Sequence, residues 1–132
     1  MIRNCYSKQI LLAEGDEFNT MVIEDDLNYF IKKFTLTKAK NRKEALEYFK
    51  SNTYDIILMD LHMPVLNGIE ATIEIRKLEL NKNSIQSIPI LAMTANIVKS
   101  ELDKCINSGM DAVIPKPYKP EQLLLKLSEF FP

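Results

Sequence analysis

The chain has 132 residues, a formal net charge of −1, 46% hydrophobic and 27% charged residues, which is the make-up of one globular domain large enough to bury a core. Near-neutral charge argues against general nucleic-acid binding, no apolar run approaches the roughly 18 residues of a membrane span, and the opening M-I-R-N-C-Y-S-K-Q lacks the apolar core of a secretory signal. Cys5 and Cys105, far apart and without C-x-x-C spacing, read as free thiols in a reducing cytoplasm, and with a single histidine, His62, they leave no zinc site.

No repeat, low-complexity tract or linker divides the sequence, so residues 1–132 read as one domain. Short apolar runs alternate with amphipathic segments, the pattern of βα units around a parallel sheet. The first strand is predicted over Gln9–Ala13. Asp16 then caps a helix whose buried face is Ile23, Leu27, Phe30 and Phe34. The triplet Glu24-Asp25-Asp26 reads as a solvated flank, with Asp26 at the border of the apolar stripe. The second strand, Phe34–Lys38, alternates apolar and polar residues and suits a sheet edge. The basic run K-A-K-N-R-K (38–43) reads as a solvated face. Asn41 and Glu44 form a capping box for the second helix, which presents Ala45, Leu46 and Phe49. The third strand, Asp55–Met59, is continuously apolar at its centre, as in a strand covered on both faces. Asn67 and Glu70 repeat the capping arrangement ahead of the third helix. The fourth strand is predicted over Ile88–Met93, and Val98, Leu102, Cys105 and Ile106 form the stripe of the fourth helix, stopped by Ser108-Gly109. Ala112–Pro115 is the fifth strand. Pro120 opens the last helix, with Leu123, Leu124 and Leu127 behind it. The methionines read as core filler. A (βα)5 sandwich follows.

Ligands of an open parallel sheet bind beyond the carboxyl ends of its strands. The residues there are Glu14 with Asp16 close by, then Asp60, Thr94 and Lys116. Polar residues commonly end strands, so one alone means little. Two acids, a hydroxyl and an ammonium in one crevice are harder to dismiss.

The segments M-D-L-H-M-P-V-L-N-G (59–68), A-M-T-A-N (92–96) and I-P-K-P-Y (114–118), in that order, resemble the receiver domain of two-component response regulators, with the likeness running from Lys8 to Phe130. The resemblance implies a flavodoxin-like three-layer fold with strand order 2-1-3-4-5. It implies that Asp60 accepts a phosphoryl group from a phosphohistidine on a histidine kinase or a histidine-phosphotransfer domain. It also implies Mg²⁺ held by Glu14, Asp60 and the backbone carbonyl of His62, with Lys116 and Thr94 meeting phosphoryl oxygens. Such chemistry brings negative charge onto negative charge, so it rests on positioning and neutralisation. The Lys116-Pro117 bond is expected to be cis, aiming the lysine into the site. Ala95, Asn96, Val113 and Pro117 are the expected switch positions. The surface around the fourth helix and fifth strand is the expected output. The resemblance further implies a domain that assists its own phosphotransfer without being an enzyme in its own right, expected as a cytoplasmic monomer or weak dimer with no direct nucleic-acid contact and no membrane insertion.

Three departures qualify this. Similar sequences carry an acid at the position of Gly15, where it is the direct metal ligand, so weaker Mg²⁺ binding is expected, with Asp16 as a rival contributor or simply the helix cap. Val113 stands where many receivers carry an aromatic residue that turns inward. His62 and Asn96 stand at positions that in the family tune how fast water removes the phosphoryl group. Two other readings stay open: a degenerate receiver that binds its partner without phosphorylation, and an aspartate-nucleophile phosphohydrolase, which usually carries a second acid where His62 stands. The wording around 10–14 and 59–72 resembles receivers attached to hybrid sensor kinases. A last helix running to the end of the sequence leaves two expectations, a stand-alone receiver or a piece of a longer protein.

Overall fold

A computed structural model describes residues 7–61, 68–81 and 87–130. Cys5, His62 and Asn67 lie outside them, and so do the expectations attached to them. The described chain alternates strand and helix throughout: β1 (Lys8–Ala13), α1 (Glu17–Phe30), β2 (Phe34–Ala39), α2 (Arg42–Ser51), β3 (Ile56–Asp60), α3 (Gly68–Asn81), β4 (Ile90–Thr94), α4 (Lys99–Ser108), β5 (Ala112–Pro115) and α5 (Pro120–Phe130). All four pairings are parallel, in the order β2-β1-β3-β4-β5. None of the described helices is long and apolar enough to cross a membrane.

The sheet separates two cores. On one face Leu11, Ile57, Met59, Ile75, Ile90 and Cys105 pack beneath α2, α3 and α4. On the other, Ile10, Leu12, Leu58, Leu91 and Met93 meet Ile23 and Leu27 of α1 and Leu123 and Leu127 of α5. The three central strands bury residues on both faces, which is why they read as unbroken apolar runs. β2 lies at an edge and is mostly half-covered, matching its alternating sequence.

Strand limits shift by one or two residues from the expected ones. β3 starts at Ile56, because Asp55 is spent on the turn: its Oδ2 accepts from Gln9 N at 2.7 Å. β4 starts at Ile90 and ends at Thr94, two residues later than expected at its start and one later at its end. The caps hold. Asp16 Oδ1 accepts from Phe18 N at 2.8 Å, and Asn41 Oδ1 accepts from Glu44 N at 2.9 Å. Glu44 reaches back to Lys40 N, one residue before the cap. The α4 stripe is a correction. Cys105 is fully buried, but Val98 and Ile106 are 56% and 55% exposed, since α4 turns only its Cys105–Ser108 side onto the sheet. Met21 is likewise exposed, whereas Met59, Met93 and Met110 are core. The basic run is paired with acids: Lys38 with Glu24, Lys40 with Glu17 and Arg42 with Glu70.

Gly109 ends α4 in the left-handed region (φ 112°), where residues with a Cβ are strained. Arg76 of α3 fills the space beside it. Its guanidinium donates to Gly109 O at 2.7 and 3.0 Å and to Ile88 O at 2.8 Å, and it pairs with Glu79 and Asp111. A Cβ on Gly109 would stand 2.9 Å from Arg76 Cγ. Gly109→Ala is therefore expected to lower the unfolding free energy by more than about 1 kcal/mol in urea denaturation. An unchanged midpoint would contradict this account of the turn.

Candidate functional site

The register of the sheet decides which side chains meet. Ala13 is level with Met59, so Glu14 and Asp60 emerge side by side. Asp60 is level with Met93, which puts Thr94 one step further up the neighbouring strand. Thr94 in turn is level with Pro115, and Lys116 N donates to Thr94 O at 2.8 Å as the chain leaves β5. The four residues singled out at strand ends thus share one rim. Glu14 is 4% exposed and Asp60 3%, while Thr94 is fully buried.

Lys116 bridges the two acids. Its Nζ lies 3.1 Å from Asp60 Oδ1 and 3.7 Å from Glu14 Oε2. The Lys116-Pro117 peptide bond is cis, as expected. Glu14 Oε1 accepts from Asp16 N at 3.2 Å, but Oε2 is buried with no hydrogen-bond partner among the described residues. Two carboxylates against one ammonium leave an excess of negative charge in a place poorly reached by water. The consequence falls on Glu14, whose carboxyl is pushed up to about 7. Burial is the largest cause, followed by the hydrogen bond to Asp60 and the charge of Asp60; the Asp16 N–H and Lys116 pull the other way.

A proton is one way to relieve that excess, and a small hard cation is another. Mg²⁺ takes oxygen ligands and is usually held by one or two carboxylates plus waters and phosphate oxygens. Glu14 and Asp60, with the orphaned Oε2 of Glu14, fit such an ion. Among the described residues no group of three His, Cys, Asp or Glu side chains forms a fuller cage. Asp16 does not join the rim: it is exposed and commits Oδ1 to the α1 cap.

The positions expected to act as a switch are placed as follows. Thr94 Oγ1 accepts from Asn96 N at 3.0 Å, tying the hydroxyl to the β4–α4 loop. Ala95 and Asn96 are exposed there, Pro117 is exposed after β5, and Val113 is half-buried against the core beneath α2–α4. Two features escaped sequence reading. Asp26 is a half-buried wall of a cleft next to Glu14, on the flank facing α5, and Tyr118 lines the same cleft. Burial, then the charges of Asp26 and Glu14, raise the Tyr118 hydroxyl to about 12. The border position of Asp26 on the helical wheel was the available signal; Tyr118 stood in the I-P-K-P-Y segment, with nothing local to aim it at this cleft.

Residues 10–128 match the family model described as the response regulator receiver domain. The chain is 39% identical over 121 residues to hybrid signal transduction histidine kinase I of Dictyostelium discoideum, covering 88% of this chain and 7% of that protein. It is 34% identical over 143 residues to histidine kinase 2 of Arabidopsis thaliana, covering 94% and 12%. The chain thus spans only a small part of these relatives. Among solved structures, the receiver domain of sensor histidine kinase PA1611 from Pseudomonas aeruginosa PAO1 superposes with a TM-score of 0.81 at 32% identity, covering 96% of this chain and 98% of that one. That structure is described with a magnesium ion coordinated in the active site cleft. Chemotaxis protein CheY4 of Vibrio cholerae shares the fold, with a TM-score of 0.84 at 22% identity over 95% of this chain and 99% of that one.

The raised Glu14 carboxyl has a consequence for stability. The folded chain binds its proton more tightly than the unfolded chain, so the contribution is full below pH 4.5 and is lost as pH rises through about 7. In metal-free buffer the wild type is expected to lose stability over that window. Glu14→Gln should flatten this part of the profile. Parallel profiles for the two chains, measured by urea denaturation, would contradict the assignment.

Proposed function

Because the chain belongs to the response regulator receiver domain family, the phosphoacceptor module of two-component phosphorelays, we propose that Asp60 is the residue that accepts the phosphoryl group. The donor is a phosphohistidine on a histidine kinase or a histidine-phosphotransfer domain. The proposal takes residues 1–132 as a single receiver domain of the hybrid-kinase kind, working in the cytoplasm. One observation supports the role of Asp60 above the others: a nearly buried carboxylate at the tip of a central strand with Lys116 Nζ 3.1 Å away.

In the transfer, a bond forms between an Asp60 carboxylate oxygen and phosphorus as the nitrogen–phosphorus bond breaks, and the bonding pair returns to the imidazole. The carboxylate and the phosphoryl group repel, so the protein contributes mainly position and opposite charge. Lys116 supplies an ammonium that reaches both acids and can turn toward phosphoryl oxygen as a point charge. Thr94 offers its hydroxyl to another such oxygen. Glu14 and Asp60 are the side chains that would hold Mg²⁺, with the His62 carbonyl, outside the described residues, as a third protein ligand. When bound, the ion supplies positive charge against the phosphoryl oxygens.

The readout follows from what those donors now hold. A phosphoryl group adds about −1.5 to −2 charges at the rim. Donating to it competes with the hydroxyl's bond to Asn96 O at 3.4 Å, and moving toward it stretches the contact with Asn96 N, so the loop leading to α4 is the part that shifts, together with β5 through Lys116. Val113 is too small for a large inward rotation, which leaves the Thr94 loop as the main coupling. Gly15 brings no carboxylate, and we propose that Mg²⁺ binds weaker by at least the ~10–100-fold typical of losing an outer-shell partner.

Two measurements test this. With acetyl phosphate and Mg²⁺, intact-mass analysis should show one phosphoryl adduct on the wild type, none on Asp60→Asn, and a labelling rate ~100-fold lower for Lys116→Ala. Labelling of Asp60→Asn at the wild-type rate would refute the site. In a Mg²⁺ titration, Gly15→Asp should bind about 10–100-fold more tightly than wild type; equal affinities would show that Gly15 is not the weak point.

A further inference from the structure

A cleft of about 440 Å³ opens between α1 and the β5–α5 connection, and Glu14 and Lys116 form part of its wall. Its sides are apolar, from Val22 and Ile23 of α1 and Pro117 and Pro120 beyond β5, and Asp26 stands among them. We infer that this cleft receives a lysine or arginine side chain from the protein phosphodonor, with the aliphatic stem against Val22 and the prolines and the cationic head at Asp26. The inference rests on the phosphoacceptor reading of Asp60 and goes beyond it, by naming a contact that selects the donor.

Charge argues first for a cation. Burial raises the Asp26 carboxyl, and the neighbouring charges of Asp25 and Glu121 raise it further. On the opposite flank of α1 the comparable acid, Glu24, is paired with Lys38 at 2.8 Å. No described cation pairs with Asp26, and Lys116, across the cleft, is engaged with Asp60 and Glu14. Further in stands Glu14, whose buried Oε2 lies 3.7 Å from Lys116 Nζ and has no hydrogen-bond donor among the described residues. Asp26 is therefore the acid of this cleft that no described cation offsets.

Shape and position argue next for a side chain on a protein. Half-apolar walls with an acid between them suit a long stem ending in a charge, the form of Lys and Arg. The cleft shares two walls with the phosphoacceptor rim, so a protein presenting phosphohistidine to Asp60 covers it. Phe18, one turn before Val22, is 65% exposed on the same helix and offers apolar surface to the same visitor. An apolar ridge beside an unpaired acid is complementary to an amphipathic helix with a basic residue near its histidine.

The test compares two donors on one chain. Wild type, Asp26→Asn and Asp26→Lys are labelled with acetyl phosphate and with a phosphorylated histidine-phosphotransfer domain that labels the wild type. The ratio of protein-donor rate to small-donor rate is expected to fall about tenfold or more in Asp26→Lys, and less in Asp26→Asn. A single Lys→Glu or Arg→Glu change on the donor's histidine-bearing helix should restore the Asp26→Lys chain. An unaltered ratio, or a loss that no donor charge reversal restores, overturns the inference and leaves Asp60 in place. A loss that tracks disappearance of a dimer in sedimentation puts a second copy in the cleft and overturns it too. Failure of the wild type to label from acetyl phosphate and from every histidine-phosphotransfer domain tried removes the Asp60 reading, and this inference with it.

Discussion

The 3.1 Å contact between Lys116 and Asp60 is the interaction on which the rest of the structure turns. Charges taken out of water carry a desolvation penalty of several kcal/mol each, and a buried pair repays it only with good geometry and further hydrogen bonds. Here the repayment is incomplete, because a second acid shares the lysine and one of its oxygens finds no hydrogen-bond donor among the described residues. A scaffold selected for stability alone would fill this rim with apolar side chains. Its charged cluster is understood as a device kept for chemistry. The two cores on either side of the sheet hold it in position.

Seen this way, the proton on Glu14 and a divalent cation are alternative answers to the same surplus charge. A phosphoryl group adds to the surplus and changes which answer is best. On the proposed role of Asp60, the new oxygens would draw Lys116 from its contact with Asp60 and Thr94 from the backbone of Asn96. The backbone hydrogen bond from Lys116 to Thr94 links the tips of β4 and β5, so the two responses are mechanically joined. The exposed Ile97 and Val98 stand directly beyond that loop, where a small displacement changes what the surface offers.

Much of this was legible in the residues themselves. Unbroken apolar runs marked the doubly covered strands, and Asp16, Asn41, Gly109 and Pro120 marked helix ends through local chemistry that tertiary context did not override. The strand-end rule brought Glu14, Asp60, Thr94 and Lys116 together without any measured distance. What periodicity could not supply was rotation. Val98 and Ile106 look buried on a helical wheel, yet the way α4 leans on the sheet exposes both. The direction of Asp26 toward α5 and the Arg76 clamp on Gly109 depend on packing between segments distant in sequence, for which one chain carries no local signal. Gly15 was legible as an absence of ligand, and the geometry adds that Asp16 is engaged as a cap.

The most direct test of the central claim is a crystal structure of the chain soaked with magnesium and beryllofluoride, a stable mimic of the phosphoryl group. The account predicts beryllium bonded to an Asp60 carboxylate oxygen, with Lys116 Nζ and Thr94 Oγ1 both within hydrogen-bond distance of fluorine and the Asn96 contact broken. An empty rim at saturating reagent, with Lys116 still paired to Asp60, would contradict it.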